Sequence, residues 1–278
     1  MQLFKSPLEL RQAVTAFRRA GKTIGFVPTM GALHDGHIQL GQAAQKECDV
    51  VLYSIFVNPL QFAPHEDFGR YPRTVEADCA RLADAGMAGV YLPGVEDMYP
   101  KDFLTKVHVD GVSAPLEGEF RPHFFDGVAT VVTKLLLQVL PDKAFFGEKD
   151  YQQLQVVTRL TKDLNLPLDI VGVPTVRDEQ GLALSSRNAY LSPEQLQSAR
   201  CINVILKEMG AAFRSGKAIP EIEAAALKQL REAGFEKIDY CTIRDARTLQ
   251  VPEDTTRPLR VLMAAWIGQT RLIDNMAV

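Results

Sequence analysis

Cysteine is scarce in this chain: four in 278 residues, far apart at Cys48, Cys79, Cys201 and Cys241. No C-x-x-C pair occurs, so neither a disulfide framework nor a thiolate zinc site is expected. No apolar run approaches the ~20 residues that cross a bilayer. The opening stretch MQLFKSPLELRQ lacks a signal-peptide h-region. These two absences predict a cytoplasmic protein without membrane contact. Neither sign of charge dominates, since 31 basic residues meet 34 acidic ones for a net charge of −3. Such a field does not gather polyanions, which argues against nucleic acid as a partner. An anionic ligand would have to be held by local geometry. Repeats and low-complexity tracts are missing, as are the dinucleotide pattern G-x-G-x-x-G and the P-loop G-K-[ST].

What is present is an alternation of short apolar runs and amphipathic stretches. Ser6-Pro7-Leu8-Glu9 carries a capping Ser, a Pro suited to a first helical turn and a Glu able to close a capping box. Residues 23–27 (TIGFV) read as a buried strand ended by Pro28, and a helix is expected from about 35 to 46. Strand 49–57, helix 74–85, strand 89–92, helix 128–139, strand 143–146, helix 151–164 and strand 169–173 follow. Strands without polar alternation, separated by helices, indicate a parallel sheet covered on both faces. The expected fold class is therefore α/β, a Rossmann-like doubly wound parallel sheet. Beyond residue 175 the pattern changes. One helix from Ser192 to about Phe213, another over 220–233, and strands at 238–243, 259–267 and 270–273 predict a smaller α+β unit. The expected domains are residues 1–175 and 176–278.

The segment PTMGALHDGH, residues 28–37, lies past the first strand and opens a helix. Open parallel sheets bind ligands outside the carboxyl ends of their strands, and helix N-terminal amides favour phosphate. Gly31 and Gly36 permit close backbone approach. His34 and His37, three apart, share one face of a helical turn. Two imidazoles there can donate hydrogen bonds to phosphate oxygens and stabilise charge on phosphorus or departing pyrophosphate. Zinc is an alternative for H-x-x-H, but no further ligands stand out.

H-x-G-H in this position resembles the signature of the nucleotidyltransferase superfamily. The longer PTMGALHDGH resembles the pantoate–β-alanine ligase family, and further segments match it in order. Asn58-Pro59-Leu60-Gln61-Phe62 is similar to the family's N-P-x-Q-F, and its amides suit a small hydroxy acid. Arg70-Tyr71-Pro72-Arg73-Thr74 also matches. Phe146-Gly147-Glu148-Lys149-Asp150-Tyr151-Gln152-Gln153-Leu154 brings Lys149 as a point charge for phosphate. In it, Asp150 is placed either to cap a helix or to hold the ATP ribose, and Gln153 lies one turn on. Leu184-Ser185-Ser186-Arg187-Asn188 resembles a mobile phosphate-clamping loop, preceded by Val173-Pro174-Thr175-Val176-Arg177. One departure occurs. Where the family commonly reads R-P-x-H-F-x-G-V, this chain has Arg121-Pro122-His123-Phe124-Phe125-Asp126-Gly127-Val128. Phe124 takes the usual His position, and Arg121 is left to a phosphate or a subunit interface.

The resemblance implies ATP-dependent condensation of (R)-pantoate with β-alanine through pantoyl adenylate, giving pantothenate, AMP and pyrophosphate. It assigns His37, His34 and Lys149 to catalysis, with His37 as the family's general acid. ATP would be held by Met30, Gly31, Ala32, Leu33, His34, Asp35, Gly36 and His37. Gly147, Glu148, Lys149 and Asp150 would join from the second segment. Val176 (through its backbone), Leu184, Ser185, Ser186 and Arg187 would complete the set. Gln61, Gln153 and Asn58 would bind the pantoate and β-alanine substrates. Mg²⁺ is expected on the ATP phosphates, with its protein ligands unknown, no tightly bound organic cofactor and a homodimer. Positive side chains, the two histidines and helix-end amides together would offset the triphosphate charge. The alternatives are an adenylyltransferase of the same superfamily acting on a phosphorylated small molecule, a nucleotide-sensing module and a dehydrogenase.

Overall fold

A six-stranded sheet is built from β1 (Gln2–Phe4), β2 (Ile24–Thr29), β3 (Val50–Ile55), β4 (Gly89–Tyr91), β5 (Lys143–Gly147) and β6 (Asp169–Val173). This computed structural model describes residues 1–63 and 66–278. The strand order is β1-β4-β3-β2-β5-β6, with every neighbouring pair parallel. Helices α1 (Pro7–Arg19), α2 (Asp35–Gln45), α3 (Val75–Asp84), α4 (Val95–Met98), α5 (Glu117–Phe120), α6 (Phe124–Val139) and α7 (Tyr151–Asp163) connect and cover it. Successive strand residues point to opposite faces. Phe26 and Phe146 accordingly join α1, α6 and α7 in one core, whereas Val27 and Phe145 join α2 and α3 in the other. Each fully buried side chain of this size contributes about 1.5–3 kcal/mol.

The chain runs from β2 to β3 on one side, and later returns through α6 to β5 on the other. β2 and β5 therefore flank the point where the winding reverses, and the crevice opens at their carboxyl ends.

Past β6 come α8 (Pro193–Ala199), α9 (Cys201–Arg214) and α10 (Ile219–Glu232), then an antiparallel sheet of β7 (Lys237–Asp245), β8 (Leu259–Ile267) and β9 (Thr270–Ala277). This part has its own core, with Ile205, Leu206, Leu230 and Ile243 among its buried members. Leu116, just before α5, packs with Leu249 and with Leu262 of β8 in a smaller apolar cluster.

Residues 2–4, for which no element was expected, form an edge strand whose backbone pairs with β4. Two local expectations change. Pro28 lies inside β2, since β5 pairs only with Gly25 and Phe26 and makes no demand for an N–H at position 28. The helix expected from 192 to 213 is two, α8 and α9, meeting at Arg200, whose guanidinium bonds Asp178 (3.3 Å).

Candidate active site

After β2 the chain must reverse sharply to start α2. It does so through Gly31 (φ +85°) and Ala32 (φ +51°), the left-handed region that glycine enters without cost. A Cβ on Gly31 would also lie 3.1 Å from Asp78 Oδ2. Asp78 comes from α3, is 2% exposed, and accepts from the Ala32 N–H (2.9 Å) and the Leu33 N–H (2.8 Å). The Thr74 hydroxyl donates to the same carboxylate at 3.2 Å. Arg81, one turn further along α3, donates to the Leu33 carbonyl at 3.2 Å and pairs with Asp35.

This support delivers His34 to the residue that precedes α2 and His37 to its first turn. Their ring centroids are 4.0 Å apart. The His34 N–H donates to His37 Nδ1 at 3.3 Å. The proton of a neutral His37 ring is thereby placed on Nε2, as a donor. Tyr53 donates its hydroxyl to the His37 carbonyl at 2.7 Å. Gly36 has no spare room, as a Cβ there would come within 2.9 Å of the His34 ring. Burial, then the nearby Lys149 and Arg81 charges, lowers the His34 pKa to about 4. Burial, then His34, Lys149 and Arg81, lowers that of His37 to about 3. At neutral pH both rings are uncharged, so they offer N–H donors and no positive charge.

Lys149 stands on a 3₁₀ turn, Glu148–Asp150, at the end of β5. Asn275 of β9 fixes this turn by donating to the Glu148 and Lys149 carbonyls at 2.9 and 2.8 Å. Arg260 of β8 bonds Glu148 at 2.8 Å and stacks on Tyr151 with 3.7 Å to the ring centre. Gly147 precedes the turn in extended conformation. Asp150 is exposed and makes no capping bond to α7, so of its two expected roles the cap is unused. Gln153 is half-buried on the cleft. Its neighbour Gln152 is buried and spent on the Val112 and Pro115 carbonyls (2.9 and 2.6 Å).

Gln61 donates from Nε2 to Met30 Sδ at 3.1 Å and accepts from Asn58 Nδ2 at 3.1 Å. Asn58 differs from expectation. It is 1% exposed, and its other bonds are to the Gly127 carbonyl (3.1 Å), the Tyr99 hydroxyl (2.8 Å) and the Leu60 N–H (3.3 Å). An amide has two donors and two acceptor sites, and these four bonds use them all. Asn58 is thus placed to orient Gln61 from behind, with no free group to offer a substrate.

The segment resembling a mobile loop is docked. Ser186–Tyr190 form a 3₁₀ turn capped by Ser185, and the Ser186 hydroxyl donates to the Ala32 carbonyl at 3.1 Å. Leu184 donates its N–H to the Val176 carbonyl (2.9 Å), which ties the two segments together. Arg187 pairs with Asp67 at 3.1 and 3.2 Å. Burial pushes the Asp67 carboxyl up, but the Arg187 guanidinium outweighs it and holds the pKa below the usual carboxylate range. Arg121, expected at a phosphate or an interface, is instead committed inside the protein, bonding both oxygens of Glu66 at 2.6 Å and the Gln61 carbonyl at 3.2 Å. Phe124 lies beneath its guanidinium at 3.8 Å, and His123 is exposed.

His34, His37, Gln61, Lys149, Gln153 and Arg187 share one cleft of about 760 Å³, a volume suited to a nucleotide with a small second substrate. Among the described residues no group of three or more His, Cys, Asp or Glu side chains forms a metal cage. No described helix is long and apolar enough to cross a membrane. Asp78, Tyr53 and Glu117 were not singled out by the sequence. The legible signal was an acid, Asp78, one turn before Leu82 on the apolar stripe of α3.

Comparison with known proteins adds the following. The sequence model of a family described as Pantoate-beta-alanine ligase matches residues 2–277. A Pantothenate synthetase of Caulobacter vibrioides is 49% identical over 282 residues, covering 99% of this chain and 98% of that protein. One from Rhodopseudomonas palustris is 51% identical over 271 residues, covering 97% and 95%. The crystal structure of a Thermus thermophilus pantothenate synthetase superposes with a TM-score of 0.94 at 46% identity, covering 99% of each chain. A pantoate-beta-alanine ligase from Francisella tularensis, complexed with beta-gamma ATP and beta-alanine, gives 0.81 at 32% identity, covering 100% of this chain and 97% of that one.

Proposed function

Because this chain belongs to the pantoate–β-alanine ligase family, it is an enzyme that joins pantoate to β-alanine with ATP, and we propose that its cleft does so through a pantoyl adenylate. The observation that carries this reading is the neutral His34–His37 pair at the start of α2, beside Lys149 at the end of β5. A carboxylate resists attack by an amine because its leaving group is poor. In the first step a pantoate carboxylate oxygen bonds to the α-phosphorus while the bond to pyrophosphate breaks. The two imidazoles donate to phosphate oxygens, and Lys149 supplies the point charge they lack. Pantoate arrives ionised, so this step needs no base. In the second step the neutral β-alanine amine bonds to the acyl carbon, the acyl–phosphate bond breaks, and AMP leaves while the amine gives up a proton.

Pantoate is read as lying against Gln61 and Gln153, and ATP along residues 30–37, Gly147 to Asp150, Val176 and the Leu184 to Arg187 segment. Arg187 reaches phosphate by exchanging its Asp67 partner. Mg²⁺ fits as the counter-ion of the ATP phosphates. It keeps much of its water shell and needs few protein ligands. Residues 1–175 act as the catalytic domain and 176–278 as the lid, a division supported by their separate cores. A homodimer in the cytoplasm completes the reading.

AMP formation, measured with ATP, pantoate and β-alanine omitted in turn, tests the reaction. Dependence on all three substrates is expected. An adenylylated phospho-compound in place of AMP would establish the alternative. Gln61→Ala is expected to raise the pantoate KM about tenfold or more, as loss of a bond to a charged group implies, with the ATP KM within about twofold. An equal rise in both would contradict the assignment. Lys149→Ala is expected to slow adenylation about 10²–10³-fold. It should affect preformed pantoyl adenylate plus β-alanine much less, and single-turnover kinetics showing the reverse would reject that role.

A further inference from the structure

A buried polar network runs from the last sheet to the Gln61 turn. Its centre is Glu117 in α5, which is 5% exposed. The carboxylate accepts from the Tyr240 hydroxyl of β7 at 2.7 Å and from Arg271 Nη1 of β9 at 2.8 Å. A second Arg271 nitrogen lies 2.7 Å from its other oxygen. Arg271 Nε donates to Asp239 at 2.7 Å, and that carboxylate also receives the Trp266 indole N–H at 3.3 Å. On its other side Glu117 meets Arg121 Nη1 at 3.5 Å. Arg121 holds both Glu66 oxygens through Nε and Nη2, and Nη2 also donates to the Gln61 carbonyl at 3.2 Å.

That carbonyl ends the Pro59–Gln61 turn. The turn is pressed on α6 so closely that a Cβ on Gly127 would come 2.3 Å from the Leu60 oxygen. The side-chain amide of Gln61 is fixed by Asn58, and the backbone beneath it by Arg121.

Buried ion pairs are costly to desolvate, and apolar side chains of similar volume often serve stability as well. Here Leu116, Leu249 and Leu262 already supply an apolar contact between the start of α5 and the C-terminal part. The network supplies direction instead. A guanidinium is a rigid planar fork, so Arg121 meets Glu66, Glu117 and the Gln61 carbonyl together in one orientation, and Arg271 with Tyr240 sets Glu117.

We propose that Glu117, Arg271 and Tyr240 are positioning residues for pantoate, acting through Arg121 on Gln61, so that the C-terminal sheet takes part in selecting that substrate. The proposal rests on the reading of Gln61 as a pantoate-binding residue. The consequence is a selective one. Loosening the network shifts the Gln61 turn and leaves the α2 and β5 ends, where ATP is read to bind, in place.

The test is steady-state kinetics of the full-length Glu117→Gln, Tyr240→Phe and Gln61→Ala variants, with the KM of each substrate measured separately. Glu117→Gln keeps the shape and removes the charge, and its pantoate KM is expected to rise about tenfold with the ATP KM within about twofold. Tyr240→Phe deletes one hydroxyl and should give a rise of about threefold, again for pantoate alone. If Glu117→Gln does not fold, Tyr240→Phe decides by the same criterion. Equal rises for pantoate and ATP, or an unchanged pantoate KM in folded variants, overturn the proposal. If Gln61→Ala itself leaves the pantoate KM unchanged, the reading of Gln61 falls and the proposal with it. If Gln61→Ala raises that KM while the network variants do not, the proposal alone fails.

Discussion

His37→Ala is expected to lower pantoate-dependent ATP–pyrophosphate exchange about 10²–10³-fold, the usual result of removing one transition-state donor, with the fold retained. The fold should survive because what His37 gives the structure is mainly backbone. Its carbonyl takes the Tyr53 hydroxyl at 2.7 Å, and its N–H bonds the His34 carbonyl at 2.9 Å. The side chain, by contrast, faces the cleft beside His34 at 4.0 Å between ring centres. His37→Gln, which keeps an N–H donor at similar reach, should retain more exchange than alanine. Undiminished exchange in His37→Ala would sink the assignment. The same substitution has a pH signature. The folded pKa values, about 3 for His37 and about 4 for His34, lie below the ordinary 6.5. Below pH 6.5 the unfolded chain therefore binds protons that the folded one refuses. The stability from neutral burial is fully present above 6.5 and is lost as pH falls toward 4 and then 3. Each unit of such a shift is worth about 1.4 kcal/mol. Urea unfolding at pH 7 and pH 5 should show a smaller acid loss in His37→Ala than in the parent chain. Exchange by the parent should show no inflection near 6.5 from these rings.

The alternation of elements was legible because parallel strands buried on both faces read as unbroken apolar runs, and β2 and β3 show it plainly. The histidine pair was legible because a three-residue spacing is enough to place two rings on one helical turn. What escaped depends on partners far along the chain. Asp78 lies 46 residues from the Ala32 amide it accepts, and Glu117 lies 154 from Arg271. No local pattern marks either pair. Asn58 and Arg121 show a second limit. Their chemistry suits a ligand, but a side chain with every polar group already bonded has nothing to offer one. Sequence supplies the inventory of donors, whereas only the packed structure shows which remain free. Arg187 falls between these cases, being charged and on the cleft yet paired with Asp67. Pro28 shows that a strand can keep a proline where the neighbouring strand makes no demand on its backbone.

Asp78→Ala should therefore have an effect that its distance from the reacting groups would not suggest. The substitution strands the Ala32 and Leu33 amides, now bonded at 2.9 and 2.8 Å, in a buried site. At about 1–3 kcal/mol for each of the two unpaired groups, roughly 2–6 kcal/mol of unfolding stability should be lost. Function should suffer further. The two amides belong to the left-handed turn at Gly31 and Ala32, and that turn fixes both the start of α2 and the Ala32 carbonyl on which Ser186 docks. Once the turn relaxes, His34 and His37 lose their aim and the Ser186 segment its anchor. A displacement of about 1 Å is enough to cost on the order of 10²-fold in rate. Asp78→Asn sharpens the argument. Its carbonyl can accept one amide, but its NH₂ then faces the other as donor against donor, so it should rescue less than half of the lost stability. Denaturant titration and ATP–pyrophosphate exchange on both variants decide the matter. A variant with parental exchange and parental stability would show that the turn holds its shape without Asp78, and that its left-handed backbone is set by Gly31 and Arg81 alone.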